Sequence, residues 1–302
     1  MRILHLNSSF TSVPVLARAQ RELGHTVDVA AYHVNYMGVP ADHRPEVPLS
    51  ITRRFFWFAR LAREYDVLHF HYHSALPIGM NYVDLPLWKA LGKKVVMHYR
   101  GDDVRDHPHR IPHLFADAIL VSTPDLLPYE SRAVWVPNPV DIERYTPNRD
   151  REERDRIVVC HAPSDRTRKG THWLVETIWR MQARGLPIEL DLVEGASHEE
   201  VLAWCARADI AVDQLVVGWY GQFAIECMAL GVPTMCYIAP KHYGDLEPSA
   251  LLNTSPRWLE SDIEYLMWSR AARERRGEMG RWYVESTHDA KVVARLVCEA
   301  YG

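Results

Sequence analysis

The sequence predicts an α/β protein built as two successive parallel-sheet domains. Three observations carry that expectation. Short apolar strands alternate with helical segments from the first residues onward, the alternation stops at a proline-bounded stretch over residues 137–156, and it restarts at residue 157 with the same rhythm. The chain's 302 residues are enough for two domains at about 150 residues each.

The elements read in order as follows. Arg2 to Leu6 is a short apolar strand, and a small polar loop containing Ser8 and Ser9 follows it. Val15, Leu16, Ala19 and Leu23 recur at helical spacing, Gly24 stops that helix, and Thr26 to Ala31 is a second strand. A βαβ unit of this kind demands a parallel sheet with a right-handed crossover. A helix over Thr52 to Glu64, a strand over Val67 to His71 and a helix ending near Gly92 continue the alternation. Strands at Val95 to Tyr99, Ile119 to Ser122 and Val134 to Val136 complete the first array. Pro137-Asn138-Pro139-Val140-Asp141 and the charged stretch Pro147 to Arg156 then read as a linker too poor in apolar surface to pack, with a hinge over Pro137–Pro147. The second array runs strand Ile157–His161, helix Thr171–Arg184, strand Ile188–Val193, helix Glu199–Arg207, strand Ile210–Gln214, helix Tyr220–Leu230 and strand Thr234–Ile238. Residues from Ser261 onward are helical, with a last helix over Asp289 to Ala300. Two Rossmann-like halves follow: residues 1–140, residues 141–280, and a terminal helix over 281–302 that packs back on the first half.

Composition narrows the function classes. With 47% hydrophobic and 25% charged residues, disorder, collagen and coiled coil are excluded. Lys plus Arg is 35 and Asp plus Glu is 39, so the net charge is −4, too acidic for a protein whose main partner is nucleic acid. No apolar run reaches the roughly 18 residues of a membrane span, and the first residues turn polar too soon for a signal peptide. Five cysteines (Cys160, Cys205, Cys227, Cys236, Cys298) with no CxxC pair suggest free thiols of a cytoplasmic protein, in preference to disulfides or a zinc site.

The chemistry concentrates between residues 160 and 233. Strand Ile157–His161 runs into Ser164-Asp165-Arg166-Thr167-Arg168-Lys169-Gly170 and directly into a helix. A basic loop at the C-terminal end of a parallel strand suits a diphosphate, Lys acting as a point charge and Arg as a fork. A solvated basic loop is the plainer reading of the same residues. Further on, Gly218-Trp219-Tyr220-Gly221-Gln222-Phe223 leads into a helix carrying Glu226. The glycines allow close approach of a ligand, and the first-turn N–H groups favour an anion. Among apolar neighbours the Glu226 carboxylate either is desolvated and paired, with a core arginine as the structural partner, or accepts from a ligand's hydroxyl pair.

The ordered set Asp66-Val67-Leu68-His69-Phe70-His71, Pro137-Asn138-Pro139-Val140-Asp141, Arg168-Lys169-Gly170, Ala208-Asp209-Ile210 and Gly221…Glu226…Met228-Ala229-Leu230-Gly231-Val232-Pro233 resembles the family 4 (group 1) glycosyltransferases. The resemblance implies the GT-B fold, two Rossmann-like domains facing across a cleft that closes about the hinge. It implies sugar transfer from a nucleotide-diphospho-sugar, with retention and without a metal or other cofactor. The acceptor is a glycan, lipid or small molecule. Carried over, Lys169 binds the donor's diphosphate, Glu226 contacts the ribose, and the Gly221 backbone approaches phosphate and sugar. Ser164, Arg166, Arg168, Gly218, Tyr220, Gln222 and Phe223 complete the donor side. His98 falls beside the reacting sugar and Asp102 near it, while Ser8, Ser9, His71, His73 and Arg100 face the acceptor. Three departures stand out. Gly218 replaces the first glutamate of the Glu-x7-Glu motif, Ser164 stands where the family has an arginine, and Ser8-Ser9 replaces a Gly-Gly loop. A non-catalytic relative that binds a nucleotide or glycan, and a sugar-nucleotide epimerase of the same fold, are the competing readings.

Two further groupings have alternative readings. His69, His71 and His73 alternate at period two, which on a strand aligns them as acceptor-site residues, polar lining or metal ligands. In Arg53-Arg54-Phe55-Phe56-Trp57-Phe58-Ala59-Arg60-Leu61-Ala62-Arg63, Phe56 and Trp57 fall among arginines, which suits either a core helix or peripheral contact with an anionic membrane surface.

Overall fold

A computed structural model describes residues 1–6, 11–32, 40–76, 80, 82–101, 103–105, 110–147, 154–245 and 250–302. The expected site residues Ser8, Ser9 and Asp102 lie outside the described residues. The chain divides into two compact units, Met1–Val140 with Ala290–Gly302, and Asp141–Asp289.

In the first unit, strands β1 (Arg2–Leu6), β2 (Thr26–Ala30), β3 (Val67–His71), β4 (Lys94–Tyr99), β5 (Ala118–Val121) and β6 (Ala133–Trp135) alternate with helices. These are α1 (Ser12–Glu22), α2 (Ile51–Ala62), α3 (Leu85–Ala90) and α4 (Arg110–Phe115). The sheet order is β2-β1-β3-β4-β5-β6, every pair parallel. A parallel sheet must be covered on both faces, and this one is. Leu4, Leu68, Phe70, Val95, Met97 and Ile119 pack with Phe58 of α2 and Trp88 of α3 on one side. Ile3, Val67, Val96 and Leu120 pack on the other side with Val13 and Leu16 of α1 and with Val293 and Val297 of α11 (Ala290–Tyr301). The terminal helix therefore belongs to the first unit's core, and the return comes at Ala290 and not at 281.

The second unit holds β7 (Ile157–His161), α5 (Arg166–Lys169), α6 (Thr171–Ala183), β8 (Ile188–Leu192), α7 (His198–Arg207), β9 (Ile210–Val212), α8 (Gln222–Ala229) and β10 (Thr234–Cys236). Strand β11 (Leu252–Asn253), helix α9 (Leu259–Trp268) and helix α10 (Arg270–Thr287) complete it. The sheet order is β11-β10-β9-β7-β8, again all parallel. Two residues of β11 are too few to show a period, so the sequence does not announce that strand.

The linker expectation needs correction. Val140, Asp141 and Tyr145 are buried and residues Ile142–Arg144 form a 3-10 turn, while residues 148–153 of the expected linker lie outside the described residues. Arg281 donates to the carbonyls of Tyr145 (2.5 Å) and Ala229 (2.6 Å), strapping the segment to the second unit. An average over a polar stretch conceals its few apolar residues, and those are the ones that anchor it. All five cysteines are free, four of them buried.

Helix α10 crosses the end of α8 at glycines. A Cβ added at Gly277 would lie 2.2 Å from the Gly231 carbonyl oxygen, and one at Gly280 would lie 3.0 Å from the Ala250 carbonyl oxygen. Backbone cannot yield as a flexible side chain does, so Gly277→Ala is expected to destabilise the second unit by at least about 1–3 kcal/mol. An unchanged midpoint in chemical denaturation would contradict so close a crossing.

Candidate functional site

The second sheet changes direction between β7 and β9, because β8 lies on one side of β7 and the later strands on the other. Doubly wound sheets bind ligands at that switch point, beyond the carboxyl ends of the strands. Here the chain leaving β7 forms the single turn α5. Asp165 caps it, accepting from the Arg168 N–H at 2.8 Å, and Gly170 ends it in the left-handed region with φ 72°. A Cβ at Gly170 would sit 3.0–3.1 Å from Val216 and Leu215, so glycine is required by space as well as by backbone.

Lys169 projects from this turn to Asp213, which directly follows β9, with Nζ 2.6 Å from Oδ1. The Asp213 carboxylate is almost wholly buried, and its other oxygen accepts the Gly221 N–H at 2.5 Å. Lysine, aspartate and the glycine before α8 thus meet at one point, although they lie far apart in the chain. Asp213 is the residue that sequence reasoning missed; its place immediately after a β strand, ahead of the glycine loop, was the available signal. The rest of the basic loop is engaged differently. Arg166 forms an exposed two-point pair with Glu194, one contact at 2.8 Å, while Ser164 and Arg168 lie exposed.

The loop from 215 to 219 is shaped by another buried residue. Gln214 accepts from the N–H groups of Val216 (2.8 Å) and Val217 (2.6 Å) and donates to the carbonyls of Trp219 (2.7 Å) and Tyr237 (2.8 Å). Gly218 inside this loop has φ 90°, and a Cβ there would lie 3.0 Å from the Ala239 Cβ. A glutamate at 218 would be strained as well as crowded. The absent motif carboxylate is therefore matched by the local backbone. Tyr220 is buried, its hydroxyl 2.8 Å from that of Tyr283 and 2.9 Å from His288 Nε2. Gln222 and Phe223, in the first turn of α8, are half-buried.

Glu226 lies nearly buried on α8. Its Oε1 accepts from Gln222 Nε2 at 3.1 Å and lies 2.9 Å from His198 Nε2, at the start of α7. The carboxylate raises the His198 pKa above its ordinary value through this hydrogen bond and charge. The partner is a histidine and not the core arginine that the sequence reading offered, and it is positioned by the capping box of Ser197 and Glu200 at the start of α7.

In the first unit the structure places His98 away from an exposed surface. Its side chain is 1% exposed, with Nδ1 3.3 Å from His69 Nε2 and Nε2 3.4 Å from Ser122 Oγ. Strand register puts His5, His69, His71 and His98 on one face, above Ile3, Val67 and Val96, under α1 and α11. His73 does not join them. Tyr72 adopts φ 73°, which turns the chain out of the strand, and His73 instead bonds the Ser74 carbonyl at 2.8 Å. The half-buried Arg100, just past the end of β4, reaches Asn138 (2.8 Å), Ser122 (3.2 Å), Ser12 (3.4 Å) and His71 Nδ1 (2.8 Å). Asp103 holds the Arg100 and Gly101 N–H groups, and its own burial lifts its pKa to about 6. Donor atoms of His5, His69 and His71 lie within 4.8 Å of one another, a metal-like grouping. Those nitrogens are instead hydrogen-bonded to protein partners.

The arginine-aromatic segment is helix α2, and most of its aromatic surface goes to the core. Phe58 is fully buried against Phe70 and Trp88, and Trp57 packs edge-on against Tyr32. Arg53, Phe56, Arg60 and Arg63 share its exposed stripe.

Comparison with solved structures places both units in one known architecture. The sucrose-phosphate synthase of Thermosynechococcus elongatus covers 100% of this chain and 98% of its own length at 16% identity and TM-score 0.73. The fold is GT-B. WaaG, described as a glycosyltransferase of lipopolysaccharide biosynthesis, superimposes on this GT-B chain at TM-score 0.61 with 12% identity, covering 98% of each chain. The UDP-GlcNAc 2-epimerase of Methanocaldococcus jannaschii does so at 0.60 with 11% identity over the full length of both. At these identities the likeness is one of fold. No family model and no curated protein sequence matches the chain.

The His198–Glu226 contact has a pH signature. A histidine whose pKa is raised on folding contributes stability that is complete below its unfolded value of about 6.5 and fades as pH rises through the folded value. His198→Gln is therefore expected to lower the second unit's melting temperature most near pH 5.5 and least near pH 8.5. A pH-independent difference would show that the pair carries no charge coupling.

Proposed function

We propose that this GT-B chain is a glycosyltransferase using a nucleotide-diphospho-sugar, held by the second unit at the β7/β9 switch point. The observation that carries the reading is the junction of Lys169, Asp213 and Gly221. It sets a cation and the first turn of α8 at one strand edge, where a departing diphosphate gathers charge. Asp213 keeps the lysine extended toward Gly221, so the cation is placed before a ligand arrives. Glu226, steadied by His198 and Gln222, supplies the acceptor atoms that a ribose diol needs. Arg100 stands for the acceptor side, and retention without a metal is carried over from the family resemblance.

An epimerase of the same fold must move a proton at a sugar carbon and needs a free acid/base pair. Among the described residues His98 is buried and Asp103 is committed to backbone N–H groups, which favours transfer. A non-catalytic nucleotide-binding relative is the second reading, and Gly218 in the motif position is what supports it.

A thermal-shift panel of UDP-, ADP- and GDP-sugars tests donor use. A ligand at about 100 times its Kd stabilises by about 2.7 kcal/mol, so the true donor stands out. Lys169→Ala is expected to weaken that donor about 10–100-fold, the worth of one charged hydrogen bond. Equal affinity in the variant rejects the phosphate assignment. Binding without release of nucleoside diphosphate in the presence of acceptors favours the non-catalytic reading. For a lipid acceptor, the Arg53, Phe56, Arg60 and Arg63 stripe of α2 supports contact with an anionic surface. Wild type is then expected to sediment with phosphatidylglycerol vesicles at low salt, and Phe56→Ser less so. No sedimentation of either removes the membrane from the proposal.

A further inference from the structure

We propose that His5, His69, His71 and His98 form, with Arg100, Gln20, Tyr301 and Ser122, a closed hydrogen-bond ring in which neutral imidazoles carry one donor sense from Arg100 round to Ser122, and that this ring ties the terminal helix α11 to the first sheet and opens on acidification.

The direction follows from counting donors. Arg100 can only donate, so His71 Nδ1 accepts at 2.8 Å and the proton of His71 is on Nε2. That N–H donates to His5 Nδ1 at 2.9 Å, which puts the His5 proton on Nε2, and it in turn donates to Gln20 Oε1 at 2.7 Å. The Gln20 amide N–H donates to the Tyr301 hydroxyl oxygen at 3.0 Å, leaving the tyrosine proton for His69 Nδ1 at 2.6 Å. His69 Nε2–H then donates to His98 Nδ1 at 3.3 Å, and His98 Nε2–H to Ser122 Oγ at 3.4 Å. Ser122 also accepts from Arg100 Nη1 at 3.2 Å, so both donor paths start at Arg100 and meet at Ser122 to close the ring, and Ser122 donates to the Tyr99 carbonyl at 3.1 Å. From Arg100 to Gln20 each step leaves a single choice; beyond it, His69 Nδ1 is the acceptor that satisfies the buried Tyr301 O–H, and with that all four histidines come out protonated on Nε2 alone.

The ring sits where the first sheet changes direction, between β1 and β3, and its own side chains occupy that position. Three of its links involve groups outside the sheet: Gln20 from α1, and Tyr301 from α11 at two points. The charged groups set against it are Arg100, whose backbone N–H is held by Asp103, Arg21 of α1, and Lys94, which donates to the Tyr301 carbonyl. Cys298 of α11 lies 3.7 Å from Gln20 Nε2. Arg100 and Arg21 oppose a positive imidazole, and burial does so more strongly, lowering the His5 pKa to about 4 and those of His69, His71 and His98 well below the ordinary value. A proton added at any Nδ1 turns an acceptor into a donor facing a donor, so one protonation breaks the circuit for the rest.

Histidines whose pKa is lowered on folding contribute stability that is present above about pH 6.5 and lost as pH falls toward the folded values. Each proton taken up on opening costs at most tenfold in protection per pH unit. Hydrogen exchange of the α11 amides in the whole chain, corrected for intrinsic rates, is therefore expected to lose more than tenfold protection per unit between pH 6 and 5, while α9 of the second unit keeps its own. A loss of tenfold or less, or a parallel loss in α9, overturns the shared opening. Nitrogen-15 spectra of the histidine side chains at pH 7 read the ring directly in the unmodified protein. Four buried imidazoles with Nε2 protonated and Nδ1 bare are expected, and a charged or Nδ1-protonated ring among them overturns the assignment. Tyr301→Phe removes one O–H donor, so His69 is expected to show mixed tautomers while His71, still driven by Arg100, keeps its own. An unchanged His69 pattern would mean that Tyr301 does not set the direction.

Discussion

Both sheets are wholly parallel, and a parallel strand can follow another only through a crossover that covers a face of the sheet. From that requirement come the alternating order of elements, the burial of strands on both sides, and the gathering of every β-to-α loop at one edge. The residues proposed to carry chemistry share that origin. Lys169 follows β7, Asp213 follows β9, Arg100 follows β4, and each sits at its strand's carboxyl end because the loops that carry chemistry are all there.

The two clusters described above treat buried polarity in different ways. The second keeps charge and pairs it: Asp213 with Lys169 and a backbone N–H, Glu226 with His198 and Gln222. A buried ion pair returns little net stability, because desolvation consumes most of the attraction, yet loss of either partner is costly. Such pairs hold groups in place for an incoming ligand. On the four sheet histidines of the first unit, polarity is met by neutral hydrogen bonds to one another and to Gln20, Tyr301 and Ser122, with Arg100 at both ends. Neutral groups avoid the desolvation penalty but depend on every hydrogen bond running in the right sense. In the proposals made above, the second cluster receives an anion and the first acts as an internal lock.

Much of this was legible in the residues. Strand and helix periods located most elements to within a few positions, since apolar spacing is set by the geometry of each element alone. The basic loop and the glycines before α8 also stood out, because phosphate chemistry needs those residue types next to a strand end. What escaped was whatever depends on partners distant in the chain. Asp213 is one carboxylate among many until β9 is set beside β7. The resemblance set His98 beside the reacting sugar, and strand register is what places it beneath α1 and α11. His73 seemed to continue an alternation that the left-handed Tyr72 ends. The buried residues of 137–147 were masked by the polar average around them.

By itself, then, the sequence determined the class of fold, the break between two α/β arrays and the stretch in which an anion would be received. These are local properties, written in spacing and in residue type. Only the tertiary structure decided which charges meet, which histidines face one another, and where the last helix rejoins the first core. Those outcomes depend on strand order and register, and contacts between residues up to 281 positions apart, as Gln20 and Tyr301 are, leave no trace in any short window of sequence.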